Sequence, residues 1–108
     1  SAQSRTIATV MAADILDKMR ANQTAAQAGS YALAIDANPP TDPGNVAGED
    51  IADWLNTLAT ELPNGDGAIN CVAFNITTPF VCDITITWRE VQDDNNLGTT
   101  TFLYSGAL

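Results

Sequence analysis

The side chains with the most chemistry in this chain are its two cysteines, Cys71 and Cys82, which are its whole thiol inventory. Their spacing is not the C-x-x-C of a dithiol redox site, and two thiolates without histidine partners are too few for a structural zinc ion. A redox-active or regulatory bond is one role for such a pair, and a structural staple is the other. The staple is the reading adopted, because both residues fall in segments that read as neighbouring strands. It implies an oxidising compartment.

The chain has no histidine. That removes the commonest general acid/base and metal ligand, and with it Ser-His-Asp triads, Cys-His pairs and His-based zinc sites. The carboxylates Glu49, Asp50, Asp53 and Glu61 could in principle move protons, but their spacing puts them on the polar side and first turn of a helix. Nothing supplies a nucleophile, an activated base or a cofactor loop, so the expectation is a protein that is not an enzyme and holds no cofactor. Two segments offer oxygens to calcium, Asn64–Gly67 (NGDG) and Asp93–Gly98 (DDNNLG). Neither has the spacing or the closing bidentate Glu of an EF-hand, and both read as turns, so no metal is expected. Trp54 and Trp88 sit in apolar periodic patterns and read as core rather than as a sugar platform. Asn22 and Asn75 open glycosylation tripeptides, a pattern common by chance.

The 13 acidic residues outnumber the 4 basic ones, for a net charge of −9. Such a surface repels phosphate backbones and anionic headgroups, so no nucleic acid and no anionic membrane surface is expected as a partner. The length of 108 residues fits one domain, and a hydrophobic fraction of 45% is enough for a core.

The elements that would position these residues follow from periodicity. Residues 1–22 read as an amphipathic helix with Ile7, Met11, Ile15 and Met19 on one stripe, widened by Ala8, Ala12 and Leu16. Asp14, Asp17 and Arg20 lie opposite, Asp14 and Lys18 form an acid-first i,i+4 pair, and Asn22 is the expected stop through its tolerance of the left-handed conformation. Ser30–Ile35 reads as a short strand or loop, followed by a turn-rich stretch, DANPPTDPGN. Residues 49–62 form the second helix, with Ile51, Leu55, Leu58 and Leu62 on one face, ended by Pro63, Asn64 and Gly65. Strands are expected over Ala68–Ile76, Pro79–Val91 and Thr99–Ala107. The middle one alternates, with Cys82, Ile84, Ile86 and Trp88 facing one way and Asp83, Thr85, Thr87 and Arg89 the other. If Cys71 lies opposite Cys82 in an antiparallel pair, Ile69 lies opposite Ile84 on the same apolar face. Helix, loop, helix and then strands is the order of an α+β fold: a long N-terminal amphipathic helix packed on an antiparallel sheet of three or four strands, with a second short helix in the connecting segment.

Three blocks of this sequence resemble PilV-type minor pilins of type IV pili, in the pilin and pseudopilin family. The first is ADIxDKMRAN, carried by Ala13, Asp14, Ile15, Asp17, Lys18, Met19, Arg20, Ala21 and Asn22. The second is carried by Asp50, Trp54, Leu58, Leu62, Pro63 and Gly65, and the third by Ile84, Ile86, Trp88 and Glu90. The blocks span most of the chain in the family's order. Many relatives carry cysteines in the loop before the second helix, whereas DANPPTDPGNVAGED has none. The resemblance implies a pilin-like subunit that primes pilus assembly and enters the fibre at or near its tip, supporting twitching motility and adhesion. Its implied partners are other minor pilins, the major pilin and the inner membrane. The implied location is a periplasmic domain before assembly and an extracellular pilus after it. The chain opens inside what reads as a helix, so an anchoring apolar half-helix is expected before Ser1, and the Ile7, Met11, Ile15, Met19 stripe is the candidate assembly surface. A minor pseudopilin of a type II secretion system is the alternative within the family, and a small secreted binding or adhesin module the alternative outside it.

Overall fold

The computed structural model describes residues 1–73, 75–77, 80–92 and 96–108. In chain order these form helix α1 (Ala2–Ala21), a short helix α2 (Gln23–Gln27), helix α3 (Val46–Glu61) and strands β1 (Asp66–Ala73), β2 (Phe80–Val91) and β3 (Leu97–Ala107). The strands make one antiparallel meander in the order β1-β2-β3. The fold is α+β, with a long N-terminal helix laid on a three-stranded antiparallel sheet.

The period-two pattern of β2 sets the core face. Cys82, Ile84, Ile86 and Trp88 are all buried, while Asp83 and Arg89 are exposed. The expected register is present: Cys71 faces Cys82 and Ile69 faces Ile84. Both helices cover this one face. Leu16 of α1 lies over Gly106 of β3, and Trp54 of α3 lies over Gly67 of β1. The α1 axis runs the length of the sheet, from the Ser1 ammonium beside Glu90 at one end to Arg20 Nε, which donates to the Ala107 carbonyl at 2.9 Å, at the other.

The two long helices begin where a side chain can accept from an orphan amide. Ser1 accepts from Ser4 N–H to start α1, and Asn45 accepts from Gly48 N–H at 2.8 Å to start α3. The second helix therefore starts three residues before the expected Glu49, because the signal is the Asn45 cap rather than the acidic run. Asn22 ends α1 but with φ −130°, not in the left-handed region; its side chain instead turns to Tyr31, and α2 continues directly from it. The expected strand at Ser30–Ile35 is reduced to one bridge, Leu33 with Ile69. Strand β1 is displaced from Ala68–Ile76 to Asp66–Ala73, and Ile76 is exposed. Phe74, Thr78 and Pro79, in or beside the expected strands, lie outside the described residues.

Of the two glycines under the helices, Gly67 is a steric requirement. A β-carbon at Gly67 would overlap the Trp54 ring at Cη2, stand 2.6 Å from Cζ3 and 3.0 Å from Leu58 Cδ1. Trp54 and Leu58 are both buried and cannot step aside. The variant Gly67→Ala is expected to destabilise the domain by about 1–3 kcal/mol, the usual range for overpacking. Urea unfolding of the two proteins checks this; an equal midpoint would mean that α3 is not held against β1 as described.

Candidate functional site

The cysteines form the disulfide Cys71–Cys82, joining directly opposed residues of β1 and β2. Cys82 is fully buried and Cys71 half-buried, on the same face as Ile69 and Ile84. The bond lies within the core face of the sheet rather than in a cleft. Such a position suits a staple between strands.

Each tryptophan is in the core, 2% exposed for Trp54 and 1% for Trp88, so neither is a surface platform for a sugar. Their indole N–H groups are both satisfied. Trp54 donates to the Met11 carbonyl of α1 at 2.9 Å, and Trp88 donates to Glu90 Oε1 at 2.7 Å. The same Glu90 oxygen accepts from the Ser1 ammonium at 2.6 Å. In the Ser1–Leu108 chain that ammonium, and then the Trp88 indole, hold the Glu90 carboxyl down at about 2.

The carboxylates at α3 do not converge on a reaction centre. Asp50 is bound by the Tyr31 hydroxyl, while Asp53 and Glu61 border a shallow polar surface with Asn56, Thr57 and Thr60. In the Asn64–Gly67 turn, Asp66 Oδ2 accepts from the Asp36 N–H at 2.8 Å, tying the long connection to the start of β1. Asn64 and Asp36 take positive φ, 51° and 66°, as turn residues do. Asp93, Asp94 and Asn95 of the second candidate turn lie outside the described residues. Among the described residues no group of three or more His, Cys, Asp or Glu is placed to hold a metal ion. Of the two glycosylation tripeptides, Asn22 is engaged with Tyr31, and Asn75 accepts from the Thr77 amide and hydroxyl on an exposed turn.

The helix stripe divides in two. Ile15 and Met19 are 0% exposed, enclosed by the domain's own sheet and helices, and so are unavailable to a partner in the folded subunit. Ile7 and Met11 are only partly covered. Together with Thr6 and Val10, which is 61% exposed, they form one wall of an apolar groove whose other wall is Thr57 and Glu61 of α3. Sequence periodicity places all four stripe residues on one face, but it does not tell which end of that face α3 and the sheet cover. Val10 escapes the periodic pattern because it sits just off the stripe.

No family model, no curated protein and no solved structure matches this chain. The site must therefore be judged on its own geometry: a disulfide-stapled sheet, a helix bound along it and a partly open apolar groove.

One polar cluster with no signature in the sequence organises the connection between α1 and α3. Tyr31, fully buried, donates its hydroxyl proton to Asp50 Oδ2 at 2.6 Å and accepts from Asn22 Nδ2 at 3.2 Å. Burial, and next the hydrogen bond to Asp50, push the Tyr31 phenol above its ordinary value of 10.0. A raised folded-state value means the neutral phenol is favoured by folding. Its contribution is complete below about pH 10 and is lost as pH rises through the folded-state value. Tyr31→Phe is expected to cost about 1–2 kcal/mol at neutral pH and to flatten the fall in stability as pH rises above about 10. Denaturant midpoints measured across that range check it; parallel curves for the two proteins would show that Tyr31 is not the titrating group.

Proposed function

We propose that this chain is the globular domain of a type IV pilus minor pilin, a structural subunit that helps prime pilus assembly and enters the fibre at or near its tip. The observation that carries the reading is the first helix, bound lengthwise on the core face of an antiparallel sheet, with Ile7, Val10 and Met11 left open beside α3. The residues of the three blocks that resemble minor pilins support it by position. Ile15, Met19, Trp54, Leu58, Leu62, Ile84, Ile86 and Trp88 are core, and Gly65 stands so close to the Leu58 carbonyl that no side chain fits. The α1 helix ends in Lys18 and Arg20, cations that suit a helix C-terminus.

On this reading the mechanism is physical rather than chemical. An apolar half-helix continuing α1 upstream of Ser1 holds the subunit in the inner membrane and then in the fibre core. Ile7 and Met11 are the part of the expected assembly stripe that remains to meet other minor pilins or the major pilin, in the groove they share with Val10 and Thr57. The domain faces the periplasm before assembly and the exterior afterwards, where the disulfide persists. No small-molecule substrate, cofactor or nucleic acid enters this scheme.

The gene sequence upstream of Ser1 tests it. A short basic leader followed by about 20 apolar residues, long enough to span a bilayer as a helix, is expected. A native start at Ser1, or a conventional signal with no retained apolar segment, would overturn the pilin reading in favour of a secreted binding module. Where the leader is found, deleting the gene is expected to abolish or reduce piliation and twitching; a loss of type II secretion instead would make the chain a pseudopilin.

A further inference from the structure

The two edges of the sheet are treated differently. On β1, Ile69 exchanges both backbone hydrogen bonds with Leu33, at 2.9 and 3.0 Å, and Asp66 is tied to Asp36, so that edge is covered. Antiparallel strands point alternate residues' backbone groups to opposite neighbours. Ile69 bonds outward to Leu33, so its partner Ile84 bonds toward β3, and Tyr104 opposite it bonds back. Leu97, Thr99, Thr101, Leu103, Ser105 and Ala107 therefore turn their N–H and C=O groups to the open edge of β3. Among the described residues only Arg20, on the Ala107 carbonyl, meets any of these groups.

Away from Arg20 at its Ala107 end, this edge has none of the usual protections against pairing. Strand β3 is 11 residues long, contains no proline and pairs with β2 in unbroken register from Val81–Ala107 to Val91–Leu97, without a bulge. It also contains no charged residue, in a chain of net charge −9. A second copy is repelled by most of this acidic surface but not by this strand.

We propose that β3 pairs antiparallel with β3 of a second copy about a two-fold axis at Phe102, joining two three-stranded sheets into one of six strands. In this register Thr101 faces Leu103 and Thr99 faces Ser105 on the outer face, where Leu103 is 70% exposed. On the inner face Phe102, now half-buried, meets its own symmetry mate and Thr100 meets Tyr104. The pairing satisfies the open backbone groups from Thr99 to Ser105, and a symmetric closed pair stops at two copies. It does not depend on the pilin reading.

The test is sedimentation of the Ser1–Leu108 chain over a concentration series, with hydrogen exchange at its two ends. The expected result is a monomer–dimer equilibrium in which the amides of Thr99, Thr101, Leu103 and Ser105 gain protection as the dimer forms. Thr101→Pro removes one open-edge donor per copy and no bond to β2. It is expected to weaken association at least about tenfold, as loss of two ladder bonds would. The double variant T101K/L103K keeps both side chains on the outer face and opposes like charges across the axis. It should dissociate the dimer with the monomer's circular dichroism unchanged, and so decides the matter if the proline variant fails to fold. A chain that stays monomeric to millimolar concentration would overturn the proposal. So would a dimer indifferent to the lysine pair, or one in which the β3 amides gain no protection.

Discussion

Replacing Trp54 by alanine is expected to destabilise the domain by about 3–5 kcal/mol, a large part of the roughly 5–15 kcal/mol that holds a domain of this kind together. Three losses combine. The indole is 2% exposed, so its removal leaves a cavity between α3 and the sheet. Its ring fills the space over Gly67, a position that has no side chain of its own to relax into the gap. Its N–H donates to the Met11 carbonyl, a bond that fixes α3 to α1. Trp54→Phe keeps most of the packing and loses the donor, so it should recover all but about 1–2 kcal/mol. Urea unfolding of the three proteins separates these terms. If phenylalanine is as damaging as alanine, the hydrogen bond outweighs the packing; if alanine costs under about 1 kcal/mol, Trp54 does not hold the helices to the sheet.

Reduction of the Cys71–Cys82 bond is expected to cost about 3 kcal/mol on the chain-entropy account and to lower Tm by more than about 10 °C. The bond closes a loop with a sequence separation of 11 and joins the two strands that carry Ile69 and Ile84. In a small domain the unlinked chain has that much more conformational freedom to lose on folding. Thermal unfolding with and without reductant, with the free thiols counted in each sample, checks this. A Tm unchanged with both thiols free would remove the staple reading and return the pair to a redox role.

Much of this fold is legible in the amino-acid sequence. Strand β2 alternates so regularly that its buried face, and the opposition of Cys71 to Cys82, follow from a period of two. The stripe of α1 follows in the same way from a period near four. Pro63 with Asn64 and Gly65 closes α3 where the sequence puts its end, because a turn there leaves no way for the helix to continue. Local signals are weaker where one atom makes the choice. Asn45, rather than the acidic run, starts α3, since a side-chain oxygen within reach of the Gly48 amide outweighs a diffuse preference for negative charge.

What the sequence determined by itself is therefore the class of the fold, the faces of its elements and the disulfide, since each depends on periodicities within a single segment or on one pair of strands. What only the tertiary structure decided is how distant segments close on one another. Burial of Ile15 and Met19 but not Ile7 and Met11, the need for glycine at position 67, the Asn22–Tyr31–Asp50 cluster and the cover on β1 but not on β3 all depend on the placement of one element against another. A pattern along the chain states which side of an element is apolar. It does not state how much of that side the neighbours reach, and so which apolar residues are left uncovered.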